Sequence, residues 1–151
     1  ALICDSCKYP PENGMDIRVD YHALARLYQS QGKDDTARQV LVDLLARGEV
    51  NADIAHDLGL IYKKAGEAED ALSAFDIAAA LEHVPALIEA AKILEKQKEF
   101  ERALQYSDRA LALEQGRFML NHRLLADIQK RLQRLDKRLA KSKAQPAGKP
   151  D

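Results

Sequence analysis

The sequence predicts an all-α fold: a right-handed α-solenoid of about three helix-turn-helix repeats, finished by a long C-terminal capping helix. Three observations carry this. A six-residue turn pattern occurs as Gly32-Lys33-Asp34-Asp35-Thr36-Ala37, again as Gly66-Glu67-Ala68-Glu69-Asp70-Ala71, and again as Lys98-Glu99-Phe100-Glu101-Arg102-Ala103, at spacings of 34 and 32 residues. Each copy lies between two runs of apolar residues at helical intervals, and a fixed period of this kind marks a stacked helical array. The composition agrees. Hydrophobic residues make up 46% of the chain but aromatics only 5%, with no Trp, so Leu, Ala and Ile must fill the core, which favours helices over a sheet sandwich.

The elements follow in order. Residues 1–14 hold Pro10, Pro11, Asn13 and Gly14, turn formers that predict an irregular segment. The helical period begins near residue 16, with Leu24, Leu27, Tyr28 and Gln31 on one stripe, and Gly32 suits the left-handed C-terminal turn. Asp34 and Asp35 open the next helix, where carboxylates favour the positive end of the dipole. Its apolar face is Ala37, Val40, Leu41, Leu44 and Leu45. After Gly48, Asn51 suits the N-cap position. Leu58, Ile61, Tyr62 and Ala65 then repeat the first stripe 34 residues on, and Gly66 closes that helix. Ala71, Leu72, Phe75 and Ala78 face it from the next one. Pro85 suits the first turn of a third pair, with Leu87, Ala90, Ala91 and Leu94 on one helix and Phe100, Ala103, Leu104, Ser107, Ala110 and Leu111 on its partner. A last helix is expected from about Arg117 to Lys141. The repeat domain is placed at 15–141, with a disordered tail over 142–151.

Charge is uneven. Residues 1–127 hold 15 Lys and Arg against 22 Asp and Glu, a net of -7, whereas residues 128–151 hold 8 against 2, a net of +6. This is an acidic body with a basic end. No apolar run approaches the roughly 20 residues of a membrane span. Only Ala1–Cys4 precede the first charge, so no signal peptide is visible, and the missing Met suggests a fragment or processed chain. Two cysteines cannot staple a fold of this size, and a cytoplasmic setting is expected.

Small and aromatic residues at fixed places in these pairs resemble the tetratricopeptide repeat (TPR). Leu58, Gly59, Tyr62, Ala71, Phe75 and Ala78 fit its pattern well. Leu24, Ala25, Tyr28, Ala37 and Leu41 fit adequately. Ala90, Ala91, Leu94, Ala103 and Ala110 fit in outline, with Lys98 in place of the turn Gly and Ser107 at an aromatic position. The resemblance covers residues 16–114; an unrelated Ala-rich bundle is the alternative. Tyr62–Gly66, Pro85–Lys92 and Glu101–Leu104, followed by a basic helix, are further similar to the C-terminal repeat region of bacterial proteins that carry an RNase H-like exonuclease domain. That resemblance implies that catalytic carboxylates would lie upstream of this chain.

The TPR resemblance implies a concave face built from the first helix of each pair. There it places His22, Arg26 and Gln29, then Asp53, His56, Asp57, Leu60, Lys63 and Lys64, then Glu89, Lys92, Glu95 and Lys96. Chaperone-binding members of the family hold a terminal carboxylate with Lys and Asn on these helices. Asp57 and Glu89 stand on the equivalent faces here and disfavour that ligand. The surface is either a solvated face or a weak groove for a protein or peptide partner.

Other candidates are weaker. Cys4 and Cys7 have metal or redox spacing, but closed zinc sites need four ligands. His22 is the next donor along the chain, and His56, His83 and His122 fall on separate helices. The pair is therefore incidental or half of a zinc site, and Pro10 and Pro11 deny it the helix of a redox motif. Arg131, Arg134 and Arg138, with Lys141 beyond, share one helix face and form a possible phosphate-binding strip for nucleic acid, without aromatic platforms for bases. Leu125, Ile128, Leu132, Leu135 and Leu139 fall at intervals of three and four, a seam able to pair two chains as a homodimer. Nothing resembles a catalytic set or a cofactor site. The chain is expected to be a non-enzymatic scaffold or, alternatively, an accessory nucleic-acid-binding region of a nuclease.

Overall fold

The turn that recurs in the sequence recurs in the backbone. At its three occurrences the chain leaves a helix through one left-handed residue, Gly32 (φ 75°), Gly66 (φ 81°) and Lys98 (φ 61°). The next amide then reaches back five residues: Lys33 N–H to the Tyr28 carbonyl, Glu67 to Tyr62 and Glu99 to Leu94, each at 2.9 Å. These bonds satisfy carbonyls that the helix ends leave unpaired. Lys98 adopts the same conformation as the two glycines, so the substituted third copy makes the same turn at a steric cost.

A computed structural model describes residues 20–144. It contains α1 (Tyr21–Ser30), α2 (Asp34–Ala46), α3 (Ala52–Lys64), α4 (Ala68–Ala80), α5 (Val84–Lys96), α6 (Phe100–Gln115) and α7 (His122–Ala144), with no strand among the described residues. Each helix packs on the next along the chain, and α3 also touches α5. This is the expected all-α solenoid: three hairpins, α1–α2, α3–α4 and α5–α6, closed by α7. Caps fall where the sequence places them. The Asn51 side chain accepts from Asp53 N–H at 2.8 Å, and Pro85 lies in the first turn of α5. Asp20 caps α1 by accepting from Ala23 N–H at 3.0 Å.

The core is largely small residues on which neighbouring helices nest. Ala25, Ala37, Ala55, Ala71, Ala78, Ala90, Ala91, Ala103 and Ala110 are fully buried. Gly59 faces the buried ring of Phe75 so closely that a Cβ there would fall 2.5 Å from it. Ser107 takes an aromatic position of the repeat, and its buried hydroxyl donates to the Ala103 carbonyl at 2.9 Å. Leu27 departs from its stripe; it is half exposed, and Ala25 is the buried residue of α1.

Three further expectations are corrected. The last helix begins at His122, not near Arg117. Gly116 ends α6, Asn121 accepts from Leu124 N–H at 3.1 Å as the cap of α7, and Phe118 and Met119 stand exposed between them. The fully buried Glu114 ties this loop down by accepting from Asn121 N–H at 3.1 Å. At the other end α7 runs through Ala144, so residues 142–144 are helical rather than tail.

The third concerns the Leu125–Leu139 seam, which the sequence presents as able to pair two chains and which packs on its own chain. Ile128 is buried with Val84, Leu87 and Ala110, and Leu132 packs beside them. Leu135 is fully buried with Ala90, Leu94 and Ala103. Leu125 and Leu139 are half-buried. The seam closes the solenoid within one chain, because an array of this type needs a final helix over its open core. Residues 1–19 and 145–151, and with them the irregular segment, Cys4 and Cys7, lie outside the described residues.

Candidate functional site

The first helix of each hairpin and α7 present adjacent inner faces, and most of the concave-face residues meet across them. His22 of α1 approaches Asp57 of α3 with Nε2 2.6 Å from Oδ2. Arg26 donates from Nε to the same oxygen at 3.0 Å. One turn along, Lys63 donates to Oε2 of Glu89 on α5, and Lys92 donates to its Oε1 at 2.8 Å. Partial burial pushes the Glu89 carboxyl up, but the Lys63 and Lys92 hydrogen bonds and charges outweigh it and hold it below the usual range. Asp57 and Glu89, which disfavour a terminal carboxylate ligand, are thus each bridged by two cationic or imidazole side chains.

Near the start of α3 the histidines come together, contrary to their separation in sequence. His56 stacks on His83, the residue before α5, with ring centroids 4.9 Å apart. Its other neighbour is Phe75 at 5.8 Å. His83 Nε2 faces Asp53 Oδ1 at 3.2 Å, which assigns its ring proton to Nε2 and leaves Nδ1, buried without a hydrogen-bond partner, as a bare lone pair. Burial lowers the His56 pKa, and the adjacent His83 lowers it further. Burial also lowers His83, over the opposing pull of Asp53. The neutral form of both rings is favoured. Among the described residues no three His, Cys, Asp or Glu side chains converge as a metal site.

At the far end Glu95 of α5 collects the arginine strip of α7. Arg131 donates from Nη1 to Oε2 at 2.8 Å. Arg134 makes a two-point fork, Nε to Oε1 at 2.9 Å and Nη2 to Oε2 at 3.2 Å. Arg138 donates from Nη1 to Oε1 at 2.8 Å. Burial raises the Glu95 pKa, but the Arg134 bond and the three positive charges outweigh it and hold it below the usual carboxylate range. The strip expected to bind phosphate is thus already engaged by a carboxylate of its own chain.

The remaining candidates are placed separately. Lys64 turns from the inner face and pairs with Asp34, at the start of α2, at 2.9 Å. Gln29 and Leu60 are half-buried on α1 and α3. Lys96 and Lys141 flank an open cleft beside Glu95.

A tetratricopeptide repeat family model matches residues 21–49. No curated protein matches the sequence. Among solved structures, the Yersinia enterocolitica type III secretion translocator chaperone SycD shares 17% identity, with 80% of this chain and 83% of that chain covered and a TM-score of 0.69. PcrH, a Pseudomonas aeruginosa protein solved in complex with the chaperone-binding region of PopD, shares 21% identity over 78% of this chain and 90% of that chain, TM-score 0.69. The first TPR domain of Spaghetti (RPAP3), bound to the HSP90 peptide SRMEEVD, shares 20% identity over 80% of this chain and 90% of that chain, TM-score 0.63. The chain has the fold of tetratricopeptide arrays.

Sequence reasoning named Glu95 and His83 but missed what they join. The arginines stand 36, 39 and 43 positions beyond Glu95. The available signal was that a helix capping the array must lie beside α5, so a carboxylate near the end of α5 faces the strip.

Proposed function

We propose that this chain is a non-catalytic, cytoplasmic scaffold that holds a segment of a partner protein against the inner face of α1, α3, α5 and α7. The observation that carries this is the side-by-side placement of those four helices, their charged side chains joined by ion pairs into one polar floor. A surface organised before binding loses less entropy when a peptide docks. Two of the similar folds were solved with bound segments, of PopD and of HSP90, which supports the same use here. No helix among the described residues is long and apolar enough to cross a membrane.

Peptides selected from a random display library test the proposal. Titrated into labelled protein, they should shift backbone amides of α1, α3, α5 and α7. A selection that enriches nothing, or shifts confined to α2, α4 and α6, would overturn it.

A second reading makes the chain an accessory region of an RNase H-like nuclease, with α7 against nucleic acid. It draws on the surface formed by Lys130, Arg134, Lys137, Arg138 and Lys141, where no carboxylate intervenes. Against it, Arg131, Arg134 and Arg138 already hold Glu95. Salt-dependent anisotropy of a labelled single strand tests it, since phosphate binding weakens steeply with salt.

A further inference from the structure

Charge along the inner face is balanced until α7, with Arg26, Lys63 and Lys92 set against Asp53, Asp57 and Glu89. Asp57 faces His22 and Arg26, and Glu89 faces Lys63 and Lys92. At Glu95 the balance fails, because one carboxylate is shared by three guanidinium groups. Two positive charges are left over. They are not equally accessible: the Arg131 side chain is only 16% exposed, while Arg134 and Arg138 are 46% and 48% exposed. Arg131 is the fixed anchor of the cluster, and the other two reach solvent beside Glu95.

The surplus borders a built recess. A cleft of about 560 Å³ lies between the α5–α6 turn and the end of α7, lined by Glu95, Lys96, Lys98, Phe100, Arg138 and Lys141. Four cations thus face one carboxylate, and the half-buried Phe100 ring supplies an apolar patch among them. Guanidinium forks match carboxylates in shape as well as charge, and Arg134 already displays that match on Glu95.

We propose that this end of the groove binds an acidic peptide segment, its carboxylates on Arg134, Arg138 and Lys141 and an apolar side chain against Phe100, with Glu95 as an internal competitor for the same arginines. This deepens the peptide-binding reading and rests on it. It also moves the acidic ligand off the inner helices α1, α3 and α5, where Asp57 and Glu89 oppose one, and onto α7. A peptide is favoured over a nucleic acid by the aromatic content of the cleft. The cleft offers one aromatic ring rather than the succession that stacked bases require.

The test uses the full chain and two probes of equal charge, measured by fluorescence anisotropy at low salt. One is a labelled peptide of glutamates around a central leucine, the other a labelled single-stranded oligonucleotide. The peptide should bind more tightly than both its glutamine counterpart and the oligonucleotide. Arg134→Ala with Arg138→Ala should weaken it about tenfold, the sum of two exposed pairs. Glu95→Gln should tighten it about threefold or more, because the competing charge is gone while the side chain keeps its shape; a merely structural Glu95 would not have that effect. Circular dichroism confirms that each variant is folded. Tighter oligonucleotide binding, or peptide binding indifferent to both arginines, overturns the proposal. If the acidic peptide fails while display-selected peptides still shift the inner helices, the charge assignment falls and the peptide-binding reading stands.

Discussion

The ring of Phe75 on α4 occupies the space that a side chain on Gly59 of α3 would need; an added Cβ would lie 2.5 Å from it. Phe75 is fully buried and surrounded by Ala55, Ala71 and Ala78, so it has nowhere to retreat. Gly59→Ala should therefore destabilise the protein by up to about 2 kcal/mol, an overpacking cost of ~1–3 kcal/mol less about 1 kcal/mol from better helix propensity. Gly116→Ala is the control. Its backbone is right-handed helical and the nearest atom to a Cβ is 3.5 Å away, so a gain of about 0.4–1 kcal/mol is expected. Denaturant midpoints that move the same way for both variants would refute the close approach.

Lys98 carries the cost of a turn that Gly32 and Gly66 make in the other two copies. Its φ of 61° lies where a Cβ meets the following carbonyl, at about 1–2 kcal/mol per residue. Lys98→Gly should raise stability by about 1 kcal/mol with an unchanged denaturant slope. A fall in midpoint would mean that the third turn differs from the other two.

These turns show what the sequence made legible. Gly32 and Gly66 repeat at a period of 34, and that period, with the residue types at Asn51 and Pro85, locates the hairpins, the cap at Asn51, the first turn of α5 and the nested alanines. The Lys98 copy could be placed by its position in the period, although its residue type argues against the turn. The start of α7 was missed because Phe118, Met119 and Leu120 carry no helix-breaking residue, and the cap at Asn121 is a weak signal by itself. The site was legible only as a list. Helical period assigns His22, Asp57, Glu89 and Glu95 to one face, but which carboxylate a long Arg or Lys reaches depends on how neighbouring helices cross. Single-chain periodicity does not encode that crossing. Glu95 with Arg131, Arg134 and Arg138, and His56 with His83, are products of it.

Leu135 tests whether α7 closes its own chain. The side chain is fully buried against Leu94, Ala90 and Ala103, so Leu135→Ala should cost about 2–5 kcal/mol through lost transfer energy and the cavity left behind. Lys137→Ala, two positions on and exposed, should stay within ~0.5 kcal/mol. If Leu135→Ala melts like the parent protein, α7 is not docked as described.

Acid should weaken the fold in two separate steps. His56 and His83 have folded pKa values lowered from 6.5, by burial in both cases and by mutual proximity for His56. Between the lowered values and about 6.5 the unfolded chain binds the extra protons, so stability rises with pH there. The contribution of the neutral pair is fully present above about pH 6.5 and drains away as pH falls below it. Glu89 and Glu95 have folded values below 4.5, because hydrogen bonds and charges from Lys63 and Lys92, and from the three arginines, outweigh their burial. Their contribution is intact above about pH 4.5 and is lost as pH falls through the lowered values. Urea midpoints measured from pH 7.5 to pH 3 should therefore decline first near pH 6 and again below about pH 4.5. The variant His56→Asn with His83→Asn should lose the first decline and keep the second, and Glu95→Gln should shrink only the second. A single decline that both variants leave unchanged would show that neither the stacked rings nor the arginine-bound carboxylate is coupled to folding. The ordering follows from the chemistry, since an imidazole with an ordinary pKa of about 6.5 resists protonation nearer neutrality than a carboxylate with an ordinary pKa of about 4.5 under three guanidinium groups.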